Sequence, residues 1–218
     1  MNNIIKFHGL THKGGEQKMT EFEKSTTSVI EKRKMLEIER KTADLLKGVD
    51  FEKSPYVDIV SLVKKDNFKV EPTPMDIETT GCLFVNEDEN NPNRLITVNT
   101  FFKNPENESD VVFKKSRFIT AHEYGHFILH QEQGEPIYAH RDTYHRKEPN
   151  ELEADYFARS ILMPLNQFST YYDILNEMGN NDEPFTVEML SKLFKVTKNK
   201  VKKRIGDLLV LSNDSIES

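Results

Sequence analysis

Residues 122–126 read His122-Glu123-Tyr124-Gly125-His126, two imidazoles four residues apart with a carboxylate beside the first. On a helix, positions i and i+4 project from one face a turn apart, so both rings can reach one ion. Zinc accepts imidazole nitrogen at about 2.0–2.1 Å, which suits this pair. Glu123, displaced around the helix from the first imidazole, stands where a general base would act on a water activated by that ion. Gly125 keeps bulk off the turn between the rings. The flanking Phe118, Ile119, Ala121, Phe127, Ile128 and Leu129 mark a largely buried helix. Two histidines and a glutamate are costly to bury there without a metal or partners. His130 continues the same stripe and, at the helix end, reads as structural.

Two imidazoles leave a catalytic zinc centre one protein ligand short, with the fourth position kept for water. The candidates lie downstream, in Glu148-Pro149-Asn150-Glu151-Leu152-Glu153-Ala154-Asp155. If this segment is helical, Glu151 and Asp155 share a face, whereas Glu153 points about 200° away from Glu151. We therefore expect Glu151 as the third ligand of one Zn2+ per chain. Asp155, a turn on, is expected to accept the second N–H of a zinc-bound histidine, the usual support for such a ring. Glu153 is the fallback ligand.

The two segments together, His122 to His126 and Glu151-Leu-Glu-Ala-Asp155-Tyr-Phe-Ala-Arg-Ser-Ile-Leu-Met-Pro164, resemble the ImmA/IrrE family of metallopeptidases. Members pair an HExGH helix with an E-x-x-A-[ND]-x-F-A-x-x-L-L-M-P helix. Arg117 to Ala121 is similar to the family's run into the zinc helix, and residues 81–99 to its hairpin. Tyr124, Arg159 and Ile161 depart mildly from the pattern, and none is an expected ligand. The resemblance spans about residues 40–210. It implies an endopeptidase that cleaves a helix-turn-helix repressor and so derepresses a mobile element or a stress regulon. By analogy with zinc peptidases, Glu123 takes the proton of the attacking water and delivers it to the leaving amine. The developing oxyanion needs a further donor. Tyr138, His140, Tyr144 and His145, all in the loop between the two site helices, are the candidates. An extended substrate is expected to pair with an edge strand near Leu95 to Val98.

The elements that must position these residues follow from pattern. Residues 28–47 read as a helix stopped by Gly48, and Ser54-Pro55 as the start of a second, short one. Phe68 to Val70 opens a strand, and residues 81–85 and 95–98 form a hairpin with a long polar tip. Residues 102–112 read as a polar loop, followed by the site helix from about Ser116 to His130 and the acidic helix from about Glu148 to Met163. Pro149 suits the first turn of the latter and Pro164 its end. The expected fold class is α+β: a helical zinc-peptidase core, a small antiparallel sheet (hairpin) and a C-terminal helix-turn-helix-like appendage. Residues 28–180 form the peptidase domain, 181–218 the appendage and 1–27 a flexible tail. Lys13-Gly14-Gly15-Glu16 can be encoded by a purine-rich, ribosome-binding stretch shortly before Met19. Translation is thus expected to start at Met19, with residues 1–18 upstream of it.

Composition narrows the setting. A net charge of −6 argues against a surface adapted throughout to nucleic acid. Residues 190–205 nevertheless carry a helix-turn-helix rhythm, with Thr197 as a natural N-cap. Lys192, Lys195, Lys198, Lys200, Lys202, Lys203 and Arg204 cluster there. DNA contact is one reading of that cluster; packing on the core or docking of the substrate is favoured by the acidic whole. Two further readings remain open, a non-catalytic antirepressor on the same fold and a DNA-binding regulator. The single Cys82 excludes an internal disulfide and reads as a small, buried apolar side chain. No run approaches a membrane span and no signal peptide is visible, so the expected location is the cytoplasm.

Overall fold

A computed structural model describes residues 30–76, 78–86, 93–100, 109–131, 137–141 and 148–212. The expected N-terminal tail and start site lie outside them. Helix α1 (Lys32–Leu45) buries Met35, Ile38, Glu39 and Thr42, a 3.6-residue rhythm in which one position is charged. Gly48, at φ +84°, follows it in the left-handed region that favours glycine. Helix α2 (Ile59–Lys65) starts later than Ser54-Pro55 suggested. The Asp58 carboxylate accepts from the Ser61 N–H at 3.2 Å and the Ser61 hydroxyl at 2.7 Å, which fixes the N-cap there.

Strands β1 (Lys69–Thr73), β2 (Gly81–Asn86) and β3 (Asn93–Asn99) follow. The hairpin β2–β3 forms with Leu83 opposite Ile96. The sheet extends beyond it: β1 joins β3 in parallel, and β4 (Ile137–Arg141) joins β2 antiparallel, giving the order β1-β3-β2-β4. Residues 95–98 are therefore paired on both sides, and the expectation of a free edge there is corrected. Among the described strands the edges are β1 and β4. Alternation on β2 buries Gly81, Leu83 and Val85 on one face.

Helix α3 (Ser109–His130) packs against β2 and β3 and pairs closely with α4 (Pro149–Leu162). It begins a full two turns before the expected start. Asp110 in its first turn meets Lys114 at 2.8 Å, an i, i+4 pair that a polar-loop reading of residues 102–112 overlooked. Pro149 stands at the start of α4, as its fixed φ favours. Helix α5 (Leu165–Met178), which no sequence signal was assigned to, buries Leu165, Phe168 and Leu175. Helices α6 (Glu183–Leu193) and α7 (Lys198–Ser212) turn through Lys195 at φ +50°, with α7 starting directly after Thr197.

One continuous core runs from Met35 and Ile38 through Leu83, Ile96 and Phe157 to Val201 and Leu211. Buried ion pairs join α7 to it. Arg204, 0% exposed, holds Glu39 through two contacts of 2.6 and 3.1 Å and donates to the Met163 carbonyl at 3.0 Å. Arg159 makes a two-point contact with Asp207 at 2.7 and 3.1 Å. Both are bidentate guanidinium–carboxylate pairs, the geometry that best offsets the loss of water.

Candidate metal centre

Helix α3 is clamped along its length before it presents its polar residues. Arg117 is buried and donates to the carbonyls of Val57 at 2.6 Å, Phe194 at 2.9 Å and Lys195 at 2.5 Å. One guanidinium thus joins the loop before α2, helix α3 and the end of α6. Two turns on, the Tyr124 hydroxyl donates to Asp66 just past α2. Burial first, and the Asp66 carboxylate second, push that phenol far above its ordinary pKa, so it stays a donor. Gly125 faces α4: a Cβ there would lie 2.9 Å from Phe157 Cδ1 and 3.3 Å from Ala154 Cα. This close approach brings the two site helices together.

At their contact, His122 Nε2 and His126 Nε2 lie 3.1 Å apart. Glu151 reaches the first with Oε2 at 3.1 Å and the second with Oε1 at 3.0 Å. His122 and His126 are 1% and 5% exposed, and Glu151 is partly buried. The outer nitrogen of His122, Nδ1, sits 3.1 Å from Asp155 Oδ1. A carboxylate accepts, so Nδ1 carries the proton and a neutral ring turns the Nε2 lone pair toward Glu151 and His126.

That arrangement crowds acceptor atoms at about 3 Å with like partial charge, which a cation among them relieves. Tetrahedral ligands at about 2.0–2.1 Å from an ion stand about 3.3 Å from one another, close to the 3.0–3.1 Å spacings here. Nitrogen, nitrogen and carboxylate oxygen are donors zinc accepts. The His122, His126 and Glu151 group can therefore hold a metal ion.

Glu123 is fully buried, and its Oε1 lies 3.1 Å from where a Cβ on Gly81 would stand, so the start of β2 approaches it as only glycine allows. Cys82, beside it, is only half-buried, which departs from the buried side chain expected. Burial, then the Glu123 carboxylate, push its thiol pKa up, so it stays protonated and unreactive. Glu153 does not join the three donors; it meets His130 Nε2 at 3.2 Å instead. Of the oxyanion candidates, Tyr138 and His140 fall on β4 opposite Phe84 and Cys82 rather than in a loop. Tyr144 and His145 lie outside the described residues. Sequence reasoning missed the His130 contact, although the i, i+4 stripe pointed to it. It also missed Lys200 of α7, whose Nζ lies 3.5 Å from Asp155 Oδ2, and nothing local signals that contact.

A mixed sheet laid on a helix with two histidines and a glutamate, and a third donor from the next helix, defines a metallopeptidase-like α+β fold. Residues 114–206 match the peptidase family M78, described as the IrrE N-terminal-like domain. That segment, which contains His122, Glu123, His126, Glu151 and Asp155, is similar to the ImmA/IrrE family of metallopeptidases. A comparison with curated proteins gives no match.

Proposed function

We propose that the chain is a zinc endopeptidase that cleaves one specific protein in the cytoplasm. The observation that carries this is the convergence of His122 Nε2, His126 Nε2 and a Glu151 oxygen within 4.8 Å, next to the buried Glu123. Zinc held there would polarise the scissile carbonyl and acidify the attacking water. Asp155 keeps the His122 ring turned with Nε2 inward. Glu123, in a buried site that excludes bulk solvent, takes the proton of that water and returns it to the leaving amine. The substrate is a repressor of the helix-turn-helix class, a reading supported by the family resemblance of residues 114–206.

The basic cluster of α6 and α7 weighs against DNA as the partner. Lys192 and Lys198 both pair with Glu188, Lys202 with Glu183 and Lys200 with Asp155, while Arg204 is buried on Glu39. Lys195 lies over the Tyr56 ring. No helix among the described residues is long and apolar enough to cross a membrane.

The test is Glu123→Gln, assayed on a candidate helix-turn-helix repressor, with any small repressor encoded in a neighbouring gene as the first choice. One zinc per chain by elemental analysis with cleavage abolished is the expected result. Repressor inactivation that survives this change, or survives a chelator, would sink the proteolytic reading in favour of an antirepressor acting by contact.

A further inference from the structure

The outer nitrogen of His126 has a partner of a different kind from the carboxylate that serves His122. Its Nδ1 lies 3.2 Å from His130 Nδ1, one helical turn on. His130 Nε2 lies 3.2 Å from Glu153 Oε2. The Glu153 carboxylate stands 3.4 Å from Lys34 Nζ on α1, and Lys34 also meets Glu37 at 3.5 Å. His130 and Glu153 are largely buried, at 15% and 20% side-chain exposure.

A hydrogen bond between two imidazole nitrogens needs one proton and one lone pair. His130 Nε2 faces a carboxylate, which only accepts, so that nitrogen carries the hydrogen. A neutral His130 then has its lone pair on Nδ1, where it accepts from His126 Nδ1–H. His126 is thereby fixed in the tautomer whose Nε2 lone pair points at His122 and Glu151. The relay runs through three elements: His126 and His130 on α3, Glu153 on α4 and Lys34 on α1.

We propose that His130 and Glu153 are positioning residues for His126, holding its Nε2 toward the ion as Asp155 holds that of His122. This rests on the reading of the centre as a zinc site. Glu153, four positions from the helix start and two from Glu151, thus supports a ligand rather than being one.

The experiment measures zinc affinity of the full chain by competition with a chromophoric chelator, with thermal unfolding of the metal-free protein beside it. His130→Ala is expected to weaken zinc about 10–100-fold, the usual effect of removing a ligand's hydrogen-bond partner, with metal-free unfolding little changed. His130→Asn places an amide oxygen near the former Nδ1 and is expected to recover most of the loss. Glu153→Ala weakens zinc in the native background and changes nothing in the His130→Asn background, where the relay is already cut. Unchanged affinity in His130→Ala, or equal effects of Glu153→Ala in both backgrounds, overturns the proposal. Should His130→Ala fail to fold, the two Glu153→Ala comparisons still decide it. A native chain that binds no zinc overturns the reading of the centre itself, whereas native binding with an indifferent His130 overturns the relay alone.

Discussion

Gly125→Ala tests whether the spacing of two helices sets the metal centre. The new Cβ would meet Phe157 Cδ1 at 2.9 Å and Ala154 Cα at 3.3 Å, where ordinary contact begins at 3.4 Å. The shortfall at Phe157 is 3.4 − 2.9 = 0.5 Å. Phe157 is 0% exposed and packed among Tyr124 and its neighbours, so its ring has no room to withdraw. The relief is a movement of α4 away from α3, and α4 carries Glu151 one turn before Ala154. Metal–ligand distances tolerate only about ±0.2 Å, so a displacement near half an ångström is expected to weaken zinc binding about tenfold or more. Tenfold is about 1.4 kcal/mol. Alanine favours a helix interior by about 1 kcal/mol, so an overpacking cost of about 1–3 kcal/mol leaves the fold about 0–2 kcal/mol less stable. Chelator competition reads the first quantity, and urea unfolding of the metal-free chain the second. A Gly125→Ala protein that binds zinc as tightly as the native chain would refute the reasoning.

Gly206 is the internal control, because a Cβ there meets nothing within 4 Å. Gly206→Ala on α7 should raise stability by about 0.5–1 kcal/mol and leave zinc affinity alone, and a lower melting temperature would count against it. Gly81→Ala places a Cβ 2.4 Å from Ile119 Cγ2 and 3.1 Å from Glu123 Oε1. Steady-state kinetics should show kcat falling more than KM rises, with zinc content unchanged; native kcat would argue that β2 does not set the position of Glu123. Glu39→Leu strands the Arg204 guanidinium, and urea unfolding should lose about 3–5 kcal/mol. A loss under about 1 kcal/mol would mean that water reaches Arg204 and that the pair is not a buried one.

Legibility in the sequence followed the range of the interaction. His122, His126, Glu151 and Asp155 were readable because each relation is a helical repeat or a spacing within one segment, and helix geometry is local. The two prolines marked α4 for the same reason, by what each does to its own backbone. The start of α3 was less readable, since Asp110 and Lys114 look like loop residues until they pair along a helix. Helix α5 carries apolar positions at helical spacing, but Pro164 directly before it is as good a stop for α4 as a start for α5, so the local pattern does not announce it.

By itself the sequence determined which atoms are available to a metal and that two helices carry them. It could not determine where Glu153 goes, because helical phase gives a direction about an axis and not what stands in that direction. Packing of α1 and the end of α3 around α4 decided that, bringing Lys34 and His130 to Glu153. Likewise β-strand patterning gave the hairpin, while only assembly of the sheet placed residues 95–98 between β1 and β2 and made β4 an edge. Pairing partners of a strand lie far away in the chain, and their order is settled by which faces must be buried together.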